Sequence, residues 1–169
     1  MRNGMIVHGA VGGSTNAAIH LPAIAREAGF ELPIEWFDEI NHKSPHLCNV
    51  NPSGQHLTES FWFAGGVPMV QLMLREYLDL DVMTVTGKTL GENLAAYKNP
   101  YAPNPEIIRP LDNPHSTLGG LAIMRGTLAP DTGVAKPAGL AEAARQCTAA
   151  AVCCGTEADW TETASPGQN

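Results

Sequence analysis

The sequence of 169 residues is poor in charged, aromatic and cysteine residues. It has only 10 Lys and Arg against 17 Asp and Glu, which gives a net charge of −7. Such a chain lacks the basic surface that binds a phosphate backbone, so we expect no nucleic-acid partner. Its four cysteines are too few and too unevenly spaced for a disulfide framework. A reducing, cytoplasmic location is therefore expected.

Long apolar runs are also absent. No segment approaches the ~18 uninterrupted apolar residues of a membrane helix, and the first residues lack the basic region and apolar run of a signal peptide. We therefore expect no membrane partner. With 44% apolar and only 16% charged residues, the composition is typical of a globular protein rather than of a disordered one.

The first half of the chain alternates apolar segments, glycine-containing turns and helical patterns. Residues 5–11 are predicted to form a short buried strand, which residues 12–16 connect to a helix. Residues 81–85 are predicted to form a second strand, which residues 86–89 connect to another helix. This order indicates an α/β fold, the C-terminal part of a parallel-sheet domain with too few strands to be complete. Helices are predicted to begin near residues 14, 33, 66 and 89.

The pattern changes after residues 99–105, which contain three prolines and two asparagines. Short strands are predicted beyond this segment, at residues 107–109, 121–125 and 133–136, because turn residues separate these apolar stretches. The predicted organisation has four parts: an α/β domain (residues 1–98), a linker (residues 99–105), the start of a β domain (residues 106–137) and an unassigned tail (residues 138–169).

The turn at residues 12–16 has the composition of an anion-binding site. Two glycines allow the backbone to approach a ligand closely, and Ser14, Thr15 and Asn16 crowd a helix start whose N–H groups and dipole favour anions. A serine-hydrolase motif is excluded, because Asn16 stands where the Gly-x-Ser-x-Gly pattern requires glycine. His20 shares a helix face with Asn16, although a lone histidine on a helix is more often simply solvated. A structural cap remains the alternative.

Thr86, Gly87, Lys88 and Thr89 form a second candidate turn. They do not form a nucleotide-binding P-loop, because Val82 stands where that motif requires its first glycine. The start of the following helix can still hold a carboxylate or phosphate. At this turn a structural cap is the stronger interpretation.

No metal site is predicted from the spacing of potential ligands. Cys153 and Cys154 are adjacent, Cys147 precedes them by six residues, and no histidine follows His115. This spacing fits neither a zinc site nor a redox pair. The carboxylates are scattered and form no evident pair.

Six segments nevertheless form a specific series between residues 5 and 136. They are Gly-Gly-Ser-Thr-Asn (residues 12–16), Ala-Gly-Gly-Val-Pro (64–68), Val-Thr-Gly-Lys-Thr-Leu-Gly-Glu-Asn (85–93), Ile-Arg-Pro-Leu-Asp-Asn-Pro (108–114), Gly-Gly-Leu-Ala (119–122) and Arg-Gly-Thr-Leu-Ala-Pro-Asp (125–131). In this order and spacing they resemble the middle of the dihydroxy-acid, phosphogluconate and sugar-acid dehydratase family. Beyond Lys136 the resemblance ends.

The resemblance implies a much longer enzyme, here called the parent enzyme. It would have an α/β domain holding an iron–sulfur cluster and magnesium, and a β-barrel-like domain similar to the swivelling domain of aconitases. It would be a homodimer or homotetramer acting in amino-acid biosynthesis or sugar-acid catabolism. Its reaction is the loss of water from a 2,3-dihydroxy acid or sugar acid to give a 2-keto acid, in which metal ions assist a poor leaving group.

The resemblance also implies what this chain does not carry. In the family, the cluster cysteines and the Asp and Lys ligands of magnesium precede these segments, and a glutamate ligand and the serine base follow them. The chain is therefore expected to be an internal fragment that has no catalytic residue, binds neither cofactor and is inactive alone. The residues expected to bind substrate are Ser14, Thr15 and Asn16 and, at the second turn, Thr86, Gly87, Lys88 and Thr89.

Two alternatives to the fragment interpretation remain. One is a small independent module that binds an anionic metabolite at the two helix starts. The other is a non-catalytic paralogue that pairs with a full-length dehydratase.

Overall fold

The computed structural model describes residues 1–139, so the predicted tail lies outside the described residues from residue 140 onward. The described part contains helices and one small antiparallel sheet, which makes it α/β in the broad sense. The elements are α1 (Arg2–Val11), α2 (Ala17–Glu27), α3 (Glu35–Lys43), α4 (Thr58–Phe63), α5 (Gly66–Met73), α6 (Leu90–Ala96), β1 (Ala122–Gly126), β2 (Ala129–Ala135) and a 3-10 turn (Pro137–Gly139).

The first predicted strand is wrong, because residues 5–11 belong to α1. Met5, Ile6 and Ala10 are all buried in this helix, and a short apolar run has no period that distinguishes a buried helix from a buried strand. The helix ends at Gly12, whose φ of 69° is the left-handed conformation that commonly stops helices. The glycine pair therefore joins two helices rather than a strand and a helix.

The second predicted strand is also wrong. Residues 81–85 form an exposed loop with one isolated bridge, between Met83 and Thr89, and Val85 is fully exposed. β-branched residues favour strands only where they pack on a half-buried surface, which is missing here. Within residues 1–139 neither segment therefore contributes a strand to a parallel sheet.

The four predicted helix starts are confirmed to within a few residues. α2 begins after Asn16, α3 begins at Glu35, α5 begins at Gly66, and α6 begins after Thr89. Turn and cap residues mark these positions locally, which explains why they are readable from sequence. The short helix α4 was not anticipated.

The hairpin of β1 and β2 confirms two of the strands predicted after the linker. Ala122 pairs with Ala135 and Ile123 with Val134 in antiparallel register. The third predicted strand, at residues 107–109, is wrong: it makes a single bridge, from Ile108 to Cys48 in the loop after α3.

One apolar core includes residues from both sides of the predicted linker. Buried residues of the helices meet Leu47 and Cys48 of the loop after α3, and Ile107, Ile108 and Leu121 complete the same cluster. Backbone hydrogen bonds hold this arrangement: Asn49 N–H donates to Ile107 C=O at 2.9 Å, and Arg109 N–H donates to Leu47 C=O at 2.9 Å. The segment after residue 106 therefore packs directly on the helical part.

A close backbone approach fastens the hairpin to α1. A Cβ atom on Gly120 would lie 2.5 Å from the Cα atom of Gly12, and Gly120 N–H donates to Gly9 C=O at 2.9 Å. The buried Asn41 of α3 accepts hydrogen bonds on both of its oxygens, from Gly119 N–H at 2.8 Å and from Leu121 N–H at 3.0 Å. Only glycine fits at position 120.

The helices of residues 1–139 are short. The longest, α2, has 11 residues, and none in this part of the chain is long and apolar enough to cross a membrane.

We predict that Gly120→Ala destabilises the chain by about 3 kcal/mol, because the added methyl group would meet backbone that cannot move aside. The matched control is Gly4→Ala in α1, where nothing lies within 4 Å of the added atom. This control should be stabilising by about 0.5–1 kcal/mol, because alanine favours the helix. Urea unfolding followed by circular dichroism measures both, and similar free energies for the two variants would contradict the close approach.

Candidate functional site

The turn between α1 and α2, here called the glycine turn (residues 12–15), is held by the end of α1. Gly12 N–H donates to Gly9 C=O at 3.2 Å, and Gly13 N–H donates to His8 C=O at 2.9 Å. These bonds satisfy carbonyl groups that a helix end otherwise leaves unpaired. The turn therefore has a defined conformation before any ligand is considered.

His8 supports the glycine turn from one side. Its Nε2 atom is hydrogen bonded to the carbonyl oxygen of Ser14 at 2.9 Å. A Cβ atom on Gly13 would lie 2.2 Å from the His8 ring, so a larger residue at position 13 would displace the imidazole. Burial lowers the pKa of His8, and the positive charge of Lys136 lowers it further. The hydrogen bond to Ser14 acts in the opposite direction and raises the pKa.

The predicted site residues Ser14, Thr15 and Asn16 lie together at the entry to α2. Ser14 and Thr15 line a cavity of about 390 Å³, here called the turn cavity, together with the rest of the glycine turn. The Ser14 hydroxyl accepts a hydrogen bond from Asn16 N–H at 3.2 Å. The side chain of Asn16 is exposed and makes no capping bond, although Asn16 is the N-cap of α2.

Lys136 also lines the turn cavity, and sequence reasoning did not assign it to the site. It directly follows β2, so the hairpin brings it to a turn that lies more than 120 residues earlier in the chain. Burial lowers its pKa. No local sequence pattern signals this contact, because it depends on how the hairpin packs on α1.

The second predicted cluster, residues 86–89, forms a separate exposed loop. Thr86 Oγ1 donates to Asn93 Oδ1 at 3.0 Å, and Asn93 Nδ2 donates to Thr84 Oγ1 at 2.7 Å. Thr89 and Glu92 form a capping box at the start of α6, so two N–H groups that could bind an anion are already satisfied. Gly87 and Lys88 are exposed. The structural cap, the stronger interpretation of this turn, is confirmed.

A larger cavity of about 610 Å³, here called the histidine cavity, lies beside the glycine turn and contains His46 and His115. Their ring centroids are 5.7 Å apart, and neither Nε2 atom has a hydrogen-bond partner within the described residues. Burial lowers the pKa of His46 to about 4, with smaller contributions from His115 and Lys136. Burial also lowers the pKa of His115. Both rings are therefore neutral near pH 7.

Potential metal ligands are dispersed in the described residues. Across residues 1–139 no three His, Cys, Asp or Glu side chains come close enough to hold a metal ion. Burial raises the pKa of Cys48 to about 12, so its thiol is not an available thiolate ligand. Cys147, Cys153 and Cys154 lie outside the described residues.

Comparison with known families gives matches over both parts of the chain. Residues 1–93 match the family model described as dihydroxy-acid/6-phosphogluconate dehydratase N-terminal, and residues 106–168 match the corresponding C-terminal model. These matches confirm the resemblance drawn from the six segments. The second match continues through residue 168, so the expectation that the resemblance ends at Lys136 is wrong.

Curated proteins with similar sequences include dihydroxy-acid dehydratases from three bacteria. The chain is 48% identical over 136 residues to that of Caldicellulosiruptor bescii, 48% over 136 residues to that of Carboxydothermus hydrogenoformans and 46% over 141 residues to that of Nitratidesulfovibrio vulgaris. The alignments cover 79%, 79% and 82% of this chain but 24%, 24% and 25% of the relatives. The chain thus spans about a quarter of their length.

We predict that Thr89→Ala lowers the free energy of unfolding by about 1 kcal/mol, because the capping box at α6 is lost. Lys88→Ala, one residue away and exposed, should leave stability within about 0.5 kcal/mol of the parent sequence. Thermal and urea unfolding measure both effects. Equal stability of Thr89→Ala and the parent would contradict the capping role.

We also predict that stability falls as the pH is lowered from 6.5 towards 4. The folded-state pKa of His46 lies near 4, below its ordinary value of 6.5, so in this window the unfolded chain binds a proton that the folded chain does not. The loss of stability from this group therefore begins near pH 7.5, where the unfolded histidine starts to bind a proton, and reaches about 2 kcal/mol at pH 5.

His46→Gln should flatten this pH dependence, whereas His20→Gln, at an exposed position on α2, should not. Unfolding free energies measured at several pH values give the slope for each variant. An unchanged slope in His46→Gln would show that another group is responsible.

Proposed function

The chain belongs to the dihydroxy-acid/6-phosphogluconate dehydratase family, and from this premise we propose that it is part of a hydro-lyase. The parent enzyme would remove water from a 2,3-dihydroxy carboxylic acid or sugar acid and give a 2-keto acid. The names of the curated relatives support this reaction class, since all three are dihydroxy-acid dehydratases.

Within this activity, the role proposed for the chain is substrate binding at the glycine turn. The observation that carries it is that Ser14 and Thr15 line the turn cavity, whose described walls include no Asp or Glu. A hydroxy acid presents a carboxylate and neighbouring hydroxyls, which match N–H, hydroxyl and ammonium donors. Asn16 directly follows them and is exposed, and we propose that it contributes to binding from this position. Substrate binding by Thr86, Gly87, Lys88 and Thr89 stays a second and weaker proposal, at the start of α6.

The iron–sulfur cluster and magnesium implied by the family do not fit the described residues. Cysteine thiolates hold iron–sulfur clusters, and several oxygen ligands hold magnesium. Residues 1–139 bring no three such groups together, and the only cysteine among them is buried as a thiol. We therefore assign no catalytic step to these residues and propose that the chain alone is inactive.

The organisation of the parent enzyme remains part of the proposal. A junction at residues 99–105 is supported by the gap between the two matched segments, which end at residue 93 and begin at residue 106. In this arrangement the hairpin would open a β-barrel-like second domain, and the parallel sheet would lie in other parts of the parent enzyme. A homodimer or homotetramer would be its assembly, and a small dihydroxy or sugar acid its partner.

One observation favours a second candidate, an independent module that binds an anionic metabolite. The core is shared by residues from Met5 to Leu121, so the described part has a continuous apolar interior of its own. A monodisperse monomer that melts cooperatively and binds a hydroxy acid would favour the module. Aggregation, or stable behaviour only beside a longer dehydratase chain, would favour the fragment or the paralogue.

We predict that the purified 169-residue chain retains no stoichiometric iron–sulfur cluster after anaerobic reconstitution with iron and sulfide. The physical reason is the lack of a three-ligand group within the described residues. Iron analysis and visible absorbance after size exclusion measure the outcome, with the dehydratase of Caldicellulosiruptor bescii treated in parallel as the positive control. A retained cluster, or formation of a 2-keto acid from a dihydroxy acid, would overturn the inactive-fragment proposal.

A further inference from the structure

Lys136 reaches the glycine turn because of the way the hairpin is anchored. Gly120, just before β1, packs against Gly12, and Arg125 of β1 forms an ion pair with Glu35 of α3. These two contacts hold β1 against the helices. Lys136, the residue after β2, then lies in the turn cavity beside Ser14 and Thr15. The position of the Lys136 side chain is therefore a property of the packed fold.

No carboxylate among the described residues neutralises the charge of Lys136. It forms no ion pair within residues 1–139, and no carboxylate lines the turn cavity. The charge of Lys136 acts on the nearby imidazoles of His8 and His46 and helps to lower their pKa values. In a chain with a net charge of −7, this cavity is locally positive, and an anion is the ligand it favours.

Residues with neutral donor groups line the same cavity as Lys136. The backbone N–H groups of Ser14 and Thr15 have no acceptor in the described chain, and the hydroxyl groups of Thr15 and Thr58 have no hydrogen-bond partner there. Unpaired N–H groups at a helix start bind anions, and α2 is long enough to contribute its dipole.

A buried imidazole with one unpartnered ring nitrogen provides an independent indication of a ligand. His46 is 5% exposed, and its Nε2 atom has no hydrogen-bond partner. That nitrogen is directed at the glycine turn, since a Cβ atom on Gly12 would lie 2.7 Å from it. Buried polar groups are normally paired. The turn therefore has more unpaired polar groups than a simple helix cap would leave.

We propose that Lys136 is the residue that holds the carboxylate of the hydroxy-acid ligand at the glycine turn. One carboxylate oxygen accepts from the Lys136 ammonium group, and the other accepts from the N–H groups of Ser14 and Thr15. The adjacent hydroxyl of the ligand meets the hydroxyls of Thr15 and Thr58. A single cation with several neutral donors suits a monoanionic carboxylate better than a phosphate dianion. This assignment rests on the proposed function and names its carboxylate-binding residue.

The test uses the 169-residue chain and D-glycerate, a small 2,3-dihydroxy carboxylate. Amide chemical shifts of residues 12–15 report binding during a titration, and glyceramide, which has the same hydroxyls but no charge, is the control ligand. The variants are Lys136→Met, Lys136→Arg and, as a matched loss of charge at an exposed position after α6, Lys98→Met. Circular dichroism melts of each variant establish that it is folded.

Glycerate is expected to shift the amides of residues 12–15, and glyceramide at equal concentration is not. Lys136→Met should weaken glycerate binding about tenfold or more, because a charge-assisted hydrogen bond is lost. Lys136→Arg should retain most of the affinity, and Lys98→Met should retain all of it. Inorganic phosphate should bind more weakly than glycerate.

Three outcomes would overturn the inference. If Lys136→Met binds glycerate as tightly as the parent sequence while residues 12–15 still respond, Lys136 is not the carboxylate-binding residue, although the site in the proposed function stands. If the responding amides lie outside residues 12–15, or none respond, both fail. If phosphate binds more tightly than glycerate, the assignment to a carboxylate is wrong.

Discussion

The contact between the backbones of Gly12 and Gly120 is the constraint on which the rest of the structure depends. The two segments approach so closely that a single methyl group at position 120 would lie 2.5 Å from a Cα atom. Hydrogen bonds from Gly119, Gly120 and Leu121 to Asn41 and Gly9 fix the same place. Three parts of the chain that are distant in sequence are thereby joined: the end of α1, the end of α3 and the start of the hairpin.

This contact also determines the electrostatics of the candidate site. Gly12 contributes to the turn cavity, and a Cβ atom on it would meet the His46 ring. The hairpin that begins after Gly120 returns with Lys136 on the other side of the same turn. A charge of +1 is held beside two imidazoles that burial keeps neutral near pH 7, and the described residues of the cavity wall include no carboxylate. The chain is acidic overall, but the packing of the hairpin places a positive charge at this cavity. The cavity therefore favours the binding of an anion.

Local signals in the sequence predicted local structure well. The helix starts near residues 14, 33, 66 and 89 follow from cap and turn residues, and the capping box of Thr89 and Glu92 is a pattern of four residues. The two wrongly predicted strands, at residues 5–11 and 81–85, depend on what packs against each segment. Apolar residues without a period fit a helix or a strand equally well, and β-branched residues do not reveal whether anything covers them. Lys136 was missed because its partner segment is more than 120 residues away.

We propose that binding and chemistry are separated along the sequence of the parent enzyme, and that the described residues of this chain take part in binding. Binding a hydroxy acid needs a cation and a few oriented donors. In the folded chain, residues 12–15 and Lys136 line one cavity. Expelling hydroxide needs a Lewis acid, and that requires ligands clustered in space. Among the described residues, potential donors line one cavity, whereas no three potential metal ligands lie close together. Since the chain spans about a quarter of its curated relatives, we propose that other segments of a longer enzyme supply the Lewis acid.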